Sequence, residues 1–417
     1  MSPQEESRKR FSGASAKGSP QLMRQMNRSK VLLTLRDGGP MTRPAMSKAT
    51  GLSKITVDAV AAELLAEDRV VESPEPPTGS PGRRARLLTF RHDSAHVAAL
   101  DIGASRARVA VADLSGALLA QEQVDLAGVT TGATVIALVR SALQRSIAVA
   151  GLSNDRIRAL CIGTPGIVDP VTQRVRLAPQ LPQWDDVDLV AEMSFIGDCP
   201  ILVENEVHLA VVGERWRGAA RGLDDIAYVH LGVGVGLGIV KSGQLLRGAH
   251  GGAGEIGYLP LVGLDADNGE GGRGRFEWLV GGAAYTRAAQ ALVESGRGES
   301  LLRSAGGDSS RIDAALIFAA AKAGDKDAEQ IVDRILGYTA SGIATVITVL
   351  DPGVLIIGGG LSQAGTWMLE RLEMKMRDLA LVSTDLCLAG LGDDAVIIGA
   401  CSRAIDACEH ELLELNP

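Results

Sequence analysis

Ser53-Lys54, with Thr56 and Asp58 close behind, groups side chains that can read nucleic acid. Lys54 can donate to a phosphate or to guanine, and the small hydroxyls of Ser53 and Thr56 can meet either. Farther along, Gly82 precedes Arg83-Arg84, and two guanidiniums at a loop tip suit a narrow minor groove. Asp58 is the discordant member, because a carboxylate repels phosphate unless it accepts from a cytosine amine. The cysteines suggest no such chemistry. Cys161, Cys199, Cys387, Cys401 and Cys408 include no Cys-x-x-Cys pair, an odd and scattered set that fits a reduced cytoplasmic setting better than disulfides or zinc.

The elements that must position these residues are legible nearby. Met26 to Leu35 has helical spacing and stops at Gly38-Gly39-Pro40. Thr42 can cap a second helix, Arg43 to Thr50, which Gly51 ends. Ser53 then caps a third, whose Val57, Val60, Ala61 and Leu64 share one face. That face, once buried, turns Ser53, Lys54, Thr56 and Asp58 outward, and Arg43 at the start of the second helix is grouped with them as a DNA contact. Arg69 to Glu72 and Ala85 to Leu88 read as two strands around a Pro/Gly loop. The whole, Ser29 to Leu88, is a winged helix-turn-helix pattern. It is set in a domain over residues 21–92, after a tail over 1–20 read as disordered. A three-helix protein-interaction module would share the helices but not the wing. Charge favours DNA: residues 1–90 hold fifteen Lys and Arg against nine Asp and Glu, and the remainder 27 against 41, for a net −8.

The remaining three hundred or so residues read as α/β. Ala98 to Gly103 and Arg108 to Asp113 form strand, glycine turn and strand, followed by a Ser115-Gly116 turn into Ala117 to Ala120. The pattern recurs from Ile226 to Leu246, with Val229 to Gly232, Gly236 to Val240 and Ser242-Gly243. Two copies predict a duplicated unit with a ligand cleft between lobes. The lobes are expected over 93–215 and 216–395, with a C-terminal helix over 396–417 packing back on the first. The 417 residues, 46% of them apolar and fifty of them glycine, allow a large core and many tight turns. No run approaches the roughly twenty apolar residues of a membrane helix. The polar start MSPQEESRKRFSGASAKGSP has no signal core. A cytoplasmic protein without membrane contact is expected.

Asp101-Ile102-Gly103, Gly163-Thr164-Pro165-Gly166-Ile167-Val168-Asp169 and Val203-Glu204-Asn205-Glu206 with Gly213-Glu214 make a specific resemblance. Gly232-Val233-Gly234-Val235-Gly236, Gly254-Glu255-Ile256-Gly257-Tyr258 and Asp351-Pro352 with Gly358-Gly359-Gly360 extend it. In this order, residues 21–417 resemble the ROK family (repressors, open reading frames and sugar kinases), and the fused winged helix resembles its repressor branch. The resemblance implies a two-lobed actin-like ATPase (ribonuclease H-like) fold. In family kinases the third motif ends in Asn-Asp, whose Asp is the general base on the sugar hydroxyl. Here it ends in Asn205-Glu206, one methylene longer, and angstrom-scale misplacement can cost about 100-fold in rate. Where kinases have Asp-Ile-Gly-Gly-Thr-Lys, this chain has Asp101-Ile102-Gly103-Ala104-Ser105-Arg106, and Val233 stands where a hydroxyl residue is usual.

The family zinc motif falls on Asn268 to Arg275, where Asn268, Glu270 and Arg275 replace its three cysteines and Tyr258 replaces its histidine. Such a set is no thiolate site, so no metal is expected. The sugar positions are better kept. Gly166, Asn205, Glu206, Glu255, Tyr258 and Glu277 carry them, with carboxylates as acceptors for ring hydroxyls. The resulting expectation is a transcriptional regulator of repressor type without kinase activity or a bound cofactor. Its partners would be a double-stranded operator, a sugar or sugar-phosphate effector, and further copies of itself in a homodimer or homotetramer. An ATP-dependent sugar kinase with an appended DNA-binding domain is the alternative. A DNA-binding protein indifferent to ligand is a third reading.

Overall fold

The computed structural model describes residues 20–74, 85–181, 183–185, 187–260, 274–379 and 382–412. The chain divides into two compact units, residues 1–94 with 409–417, and Ala95–Cys408.

In the first unit, α1 (Pro20–Gly38), β1 (Met41–Thr42), α2 (Arg43–Thr50) and α3 (Lys54–Ala66) precede β2 (Val70–Pro74) and β3 (Arg86–Phe90). Thr42 caps α2 by accepting from the Ala45 N–H, and Gly51 at φ +69° ends it, a left-handed position that favours glycine. Ser53 caps α3 by accepting from the Thr56 N–H. Val57, Val60, Ala61 and Leu64 are buried on one side of α3, against a core that includes Leu35, Met46 and Leu88. The sheet has three strands in the order β1-β3-β2, where the sequence suggested two. The added strand is two residues long, Met41 and Thr42 pairing with Leu88 and Leu87, too short for any periodicity to announce. Residues 75–84, and Arg83 and Arg84 with them, lie outside the described residues.

The second unit holds two five-stranded sheets. The first is built from β4 (His96–Ile102), β5 (Arg106–Asp113), β6 (Leu118–Asp125), β7 (Ile157–Thr164) and β10 (Ile201–Asn205), in the order β10-β7-β4-β5-β6. Helix α4 (Gly132–Val149) links β6 to β7, and the short pair β8 (Ile167–Val168) and β9 (Val175–Arg176) and helix α5 (Leu189–Met193) precede β10. The second sheet is built from β11 (Ile226–Leu231), β12 (Val235–Lys241), β13 (Gln244–Leu245), β14 (Val354–Gly358) and β15 (Asp385–Leu388), in the order β13-β12-β11-β14-β15. In each, the first strand pairs antiparallel with the second and parallel with the fourth. The duplication legible in the glycine turns is therefore a duplication of topology. The interior strands β4 and β14 are almost wholly buried, which is why they read as unbroken apolar runs.

Between the sheets in sequence stands α6 (Glu206–Arg217). The second lobe adds α7 (Arg275–Val280), α8 (Gly282–Glu294), α9 (Glu299–Ser304), α10 (Ala314–Lys322), α11 (Lys326–Leu350) and α12 (Thr366–Met376), and α13 (Ala395–Leu412) closes the chain. Helices α6 and α13 cross at glycine. A Cβ on Gly213 would lie 2.2 Å from the Ala395 carbonyl oxygen, and one on Gly399 1.9 Å from that of Leu209. Beside this crossing, the fully buried Glu214 carboxylate accepts from the N–H groups of Ala219 at 2.7 Å, Gly390 at 3.0 Å and Leu391 at 2.9 Å. Those groups sit on the two connections that join the sheets, α6 to β11 and β15 to α13, so one side chain pins both. Among the described residues no helix is long and apolar enough to cross a membrane.

Candidate functional site

A narrow cleft, open to solvent, lies in the second unit between residues of the two sheets. Gly166, Asn205, Glu206, Glu255, Tyr258 and Glu277 all line it, so the structure brings together the six positions that the sequence marked as sugar contacts. Gly166, in the turn between β7 and β8, has φ +94°, and a Cβ there would meet the Arg176 carbonyl oxygen at 2.8 Å. Its own carbonyl accepts from Asn205 Nδ2 at 2.9 Å. Asn205 ends β10 and caps α6, its Oδ1 accepting from the N–H groups of Val207 at 2.8 Å and His208 at 3.2 Å. One amide thus orders the turn, the strand end and the helix start, and it retains a second Nδ2 hydrogen. Neighbouring Glu204 faces away and pairs with Arg247 Nε at 2.9 and 3.0 Å, joining β10 to the segment after β13. On the opposite wall, Glu277 Oε2 accepts from the Val235 N–H at 3.1 Å. Gly254 sets the backbone of Glu255. It has φ +94°, its carbonyl accepts from the Leu237 N–H at 2.9 Å, and a Cβ would lie 1.9 Å from the Leu237 oxygen.

The cleft is acidic. Burial, with the nearby Asp101 and Glu255 carboxylates, pushes Glu206 up to about 8. Burial and the neighbouring Glu277 raise Glu255. The exposed-rim Tyr258 hydroxyl is raised by partial burial and by the same two acids, Glu255 and Glu277. Three lining groups had escaped the sequence reading. His208 is one turn into α6 and its Nε2 lies 3.1 Å from the Ala253 carbonyl oxygen. His230, at the end of β11, is depressed to about 4 by burial and is a neutral imidazole at neutral pH. Gln180 lines the cleft and carries a buried Oε1 with no hydrogen-bond partner among the described residues. His208 lies close to the Asn205-Glu206 pair and His230 two residues before Gly232 of a glycine turn, which were the available signals. Gln180 had none, since only the chain path after β9 brings it here.

The first glycine turn, at Gly103 to Ser105, is arranged differently. Arg106 reaches Asp393 at 2.8 Å, and the nearly buried Arg108 meets Asp393 at 3.3 Å and Asp394 at 2.8 Å. Asp101, at the end of β4, is pushed up to about 6 by burial, against the lowering pull of Arg108 and Arg106. The two cations nearest this turn are therefore held by carboxylates of the connection into α13. For the position-by-position zinc comparison, Asn268 and Glu270 lie outside the described residues, while Arg275 begins α7. Among the described residues no group of His, Cys, Asp and Glu is arranged to hold a metal.

In the first unit the outward surface of α3 carries Lys54, exposed and without an ion pair among the described residues. Ser53 and Thr56 are more committed than their types suggested. The Ser53 hydroxyl lies 3.1 Å from the Thr56 N–H and 2.8 Å from the Thr56 hydroxyl, so the two complete the cap. Asp58 is neutralised by Arg43 at 3.5 Å, and Arg43 also meets Glu72 at 3.1 Å, which in turn holds Arg86 at 3.1 Å. The carboxylate that sat awkwardly beside phosphate thus has an internal partner, and Arg43 is shared with two acids. Arg24 and Arg28 of α1 likewise pair with Glu63 and Glu67 of α3.

Residues 97–407 match the model of the ROK family. A xylose repressor of Caldicellulosiruptor bescii is 26% identical over 392 residues, covering 93% of this chain and 97% of its own. A glucokinase of Thermotoga maritima is 33% identical over 245 residues, covering 58% of this chain and 77% of its own. A solved ROK family transcriptional regulator, a homolog of E. coli MLC protein, superposes with a TM-score of 0.78 at 23% identity, covering 94% of this chain and 98% of that one; it shares the fold. The chain belongs to the ROK family.

Proposed function

We propose that this protein is a DNA-binding transcriptional regulator of repressor type, controlled by a sugar or sugar derivative bound in the acidic cleft. The observation that carries the reading is the union of a helix-turn-helix unit with a ROK body in one chain, matched over 93% of its length by a xylose repressor. Lys54 and the wing arginines Arg83 and Arg84 meet the DNA backbone and grooves, with Ser53 and Thr56 capping the start of α3 and Arg43 bracing α3 through Asp58. Gly166, Asn205, Glu206, Glu255, Tyr258 and Glu277 hold the ligand. Two copies of the chain place two helices in successive major grooves of a palindromic site, and ligand shifts affinity by favouring one spacing over another. The protein works in the cytoplasm. A thermal-shift screen against neutral sugars and their phosphates tests the input, because a ligand that binds only the folded state raises its stability. A flat response across the panel at millimolar concentration sinks the sugar assignment.

The identity to a glucokinase favours a second reading, an ATP-dependent sugar kinase. Against it stand Glu206 in place of the shorter base and the pairing of Arg106 and Arg108 with Asp393 and Asp394. Phosphoryl transfer depends on positioned groups around the phosphates, and these cations are engaged elsewhere. A coupled ADP-release assay over the same sugars separates the readings; turnover in the ordinary range of about 1–100 per second establishes the kinase.

A further inference from the structure

Among the described residues of the first unit, the most exposed large apolar side chain is Ile55, 83% exposed, on the first turn of α3. Folding does not require it there, since Val57, Val60, Ala61 and Leu64 already fill the buried face. One turn on, Ala59 is exposed as well, so two apolar groups stand at i and i+4 on the outward side. Around them the polar groups are occupied. Ser53 and Thr56 bond to each other and to the helix start, and Asp58 pairs with Arg43. What the first turn of α3 offers to a partner is therefore Lys54 and Ile55, a cation beside a branched aliphatic group. A recognition helix presents its N-terminal residues to base edges, and the major groove carries one apolar mark, the thymine C5-methyl. An adjacent lysine matches the phosphates that flank it.

We propose that Ile55 is a specificity-determining residue that reads thymine through contact with its C5-methyl group. This rests on the DNA-binding reading above and names what that surface recognises.

The test uses the full chain. A duplex is enriched from a random-sequence pool, and binding is followed by fluorescence anisotropy while each thymine is replaced in turn by deoxyuridine, which deletes only the methyl. Burying one methyl corresponds to about a fourfold change in affinity. The expected result is a loss of that size at one thymine in each half-site for the wild type. Ile55→Ala should bind the thymine and deoxyuridine duplexes equally, while Ile55→Val keeps most of the difference. Melting temperature serves as the folding control, and at a side chain this exposed it should not move. An enriched duplex with no methyl-sensitive thymine overturns the assignment and leaves DNA binding intact. So does methyl sensitivity that persists in Ile55→Ala. Failure to enrich any duplex overturns the DNA-binding reading, and this proposal with it.

Discussion

The two five-stranded sheets of the body follow one strand order, yet their first hairpin turns differ. The turn after β4 is bordered by Arg106 and Arg108, both tied to the acids of the connection into α13. The turn after β11 is bordered by Gly234, which lines the cleft, and by Val235, whose N–H is held by Glu277. Both turns join strands whose buried apolar runs dictate the same topology. The chemistry is decided by a handful of turn and cap residues that packing leaves free to vary. One end is closed by ion pairs, and the other is open to a ligand.

Five substitutions, in four comparisons, break or sharpen that contrast. The largest effect belongs to Gly254→Ala, on the open side. Left-handed strain and a Cβ 1.9 Å from the Leu237 oxygen together cost roughly 3–5 kcal/mol. At the first turn, a Cβ on Gly103 would lie 3.2 Å from the Arg106 oxygen, with no positive φ, so Gly103→Ala should cost under about 1 kcal/mol. Urea denaturation of the pair checks this, and equal losses would remove the asymmetry.

Next is Glu214→Ala, which strips three backbone donors on the two connections of their acceptor. At about 1 kcal/mol or more per orphaned donor, a loss near 3 kcal/mol is expected by the same measurement. A loss under about 1 kcal/mol would mean that this carboxylate does not hold the sheets together.

The third is a pH effect. The folded state raises Glu206 from an ordinary 4.5 to about 8, so over that window the folded protein holds a proton that the unfolded chain releases. Its contribution is present below about pH 4.5 and is lost as pH rises through 8. Glu206→Gln should therefore gain on the wild type between pH 5 and pH 8, by roughly 3–4 kcal/mol. A gap that is constant with pH would place the charge in solvent. Smallest is Arg106→Ala: its ion pair with Asp393 is exposed on both sides, and the expected cost is under about 0.5 kcal/mol.

Much of this was legible in the residues. Thr42, Gly51 and Ser53 announced the ends of α2 and α3, because caps are local chemistry. The repeated strand-glycine-strand pattern announced the two sheets, and the six cleft positions could be placed one by one through the family resemblance. What stayed hidden depends on distant partners. Nothing local says that the Ser53 and Thr56 hydroxyls would bond each other, that Arg43 would neutralise Asp58, or that Glu214 would bind backbone at 390 and 391. Gln180 reaches the cleft by a similarly long detour of the chain.

The central claim is that the cleft is an input and the helix-turn-helix unit its output. Fluorescence anisotropy of the full chain on its enriched duplex, titrated with a panel of sugars, measures that coupling directly. The prediction is that one sugar changes DNA affinity by about tenfold, within the usual range for linked sites. DNA affinity that stays constant for every sugar, including one that binds the cleft, would contradict it.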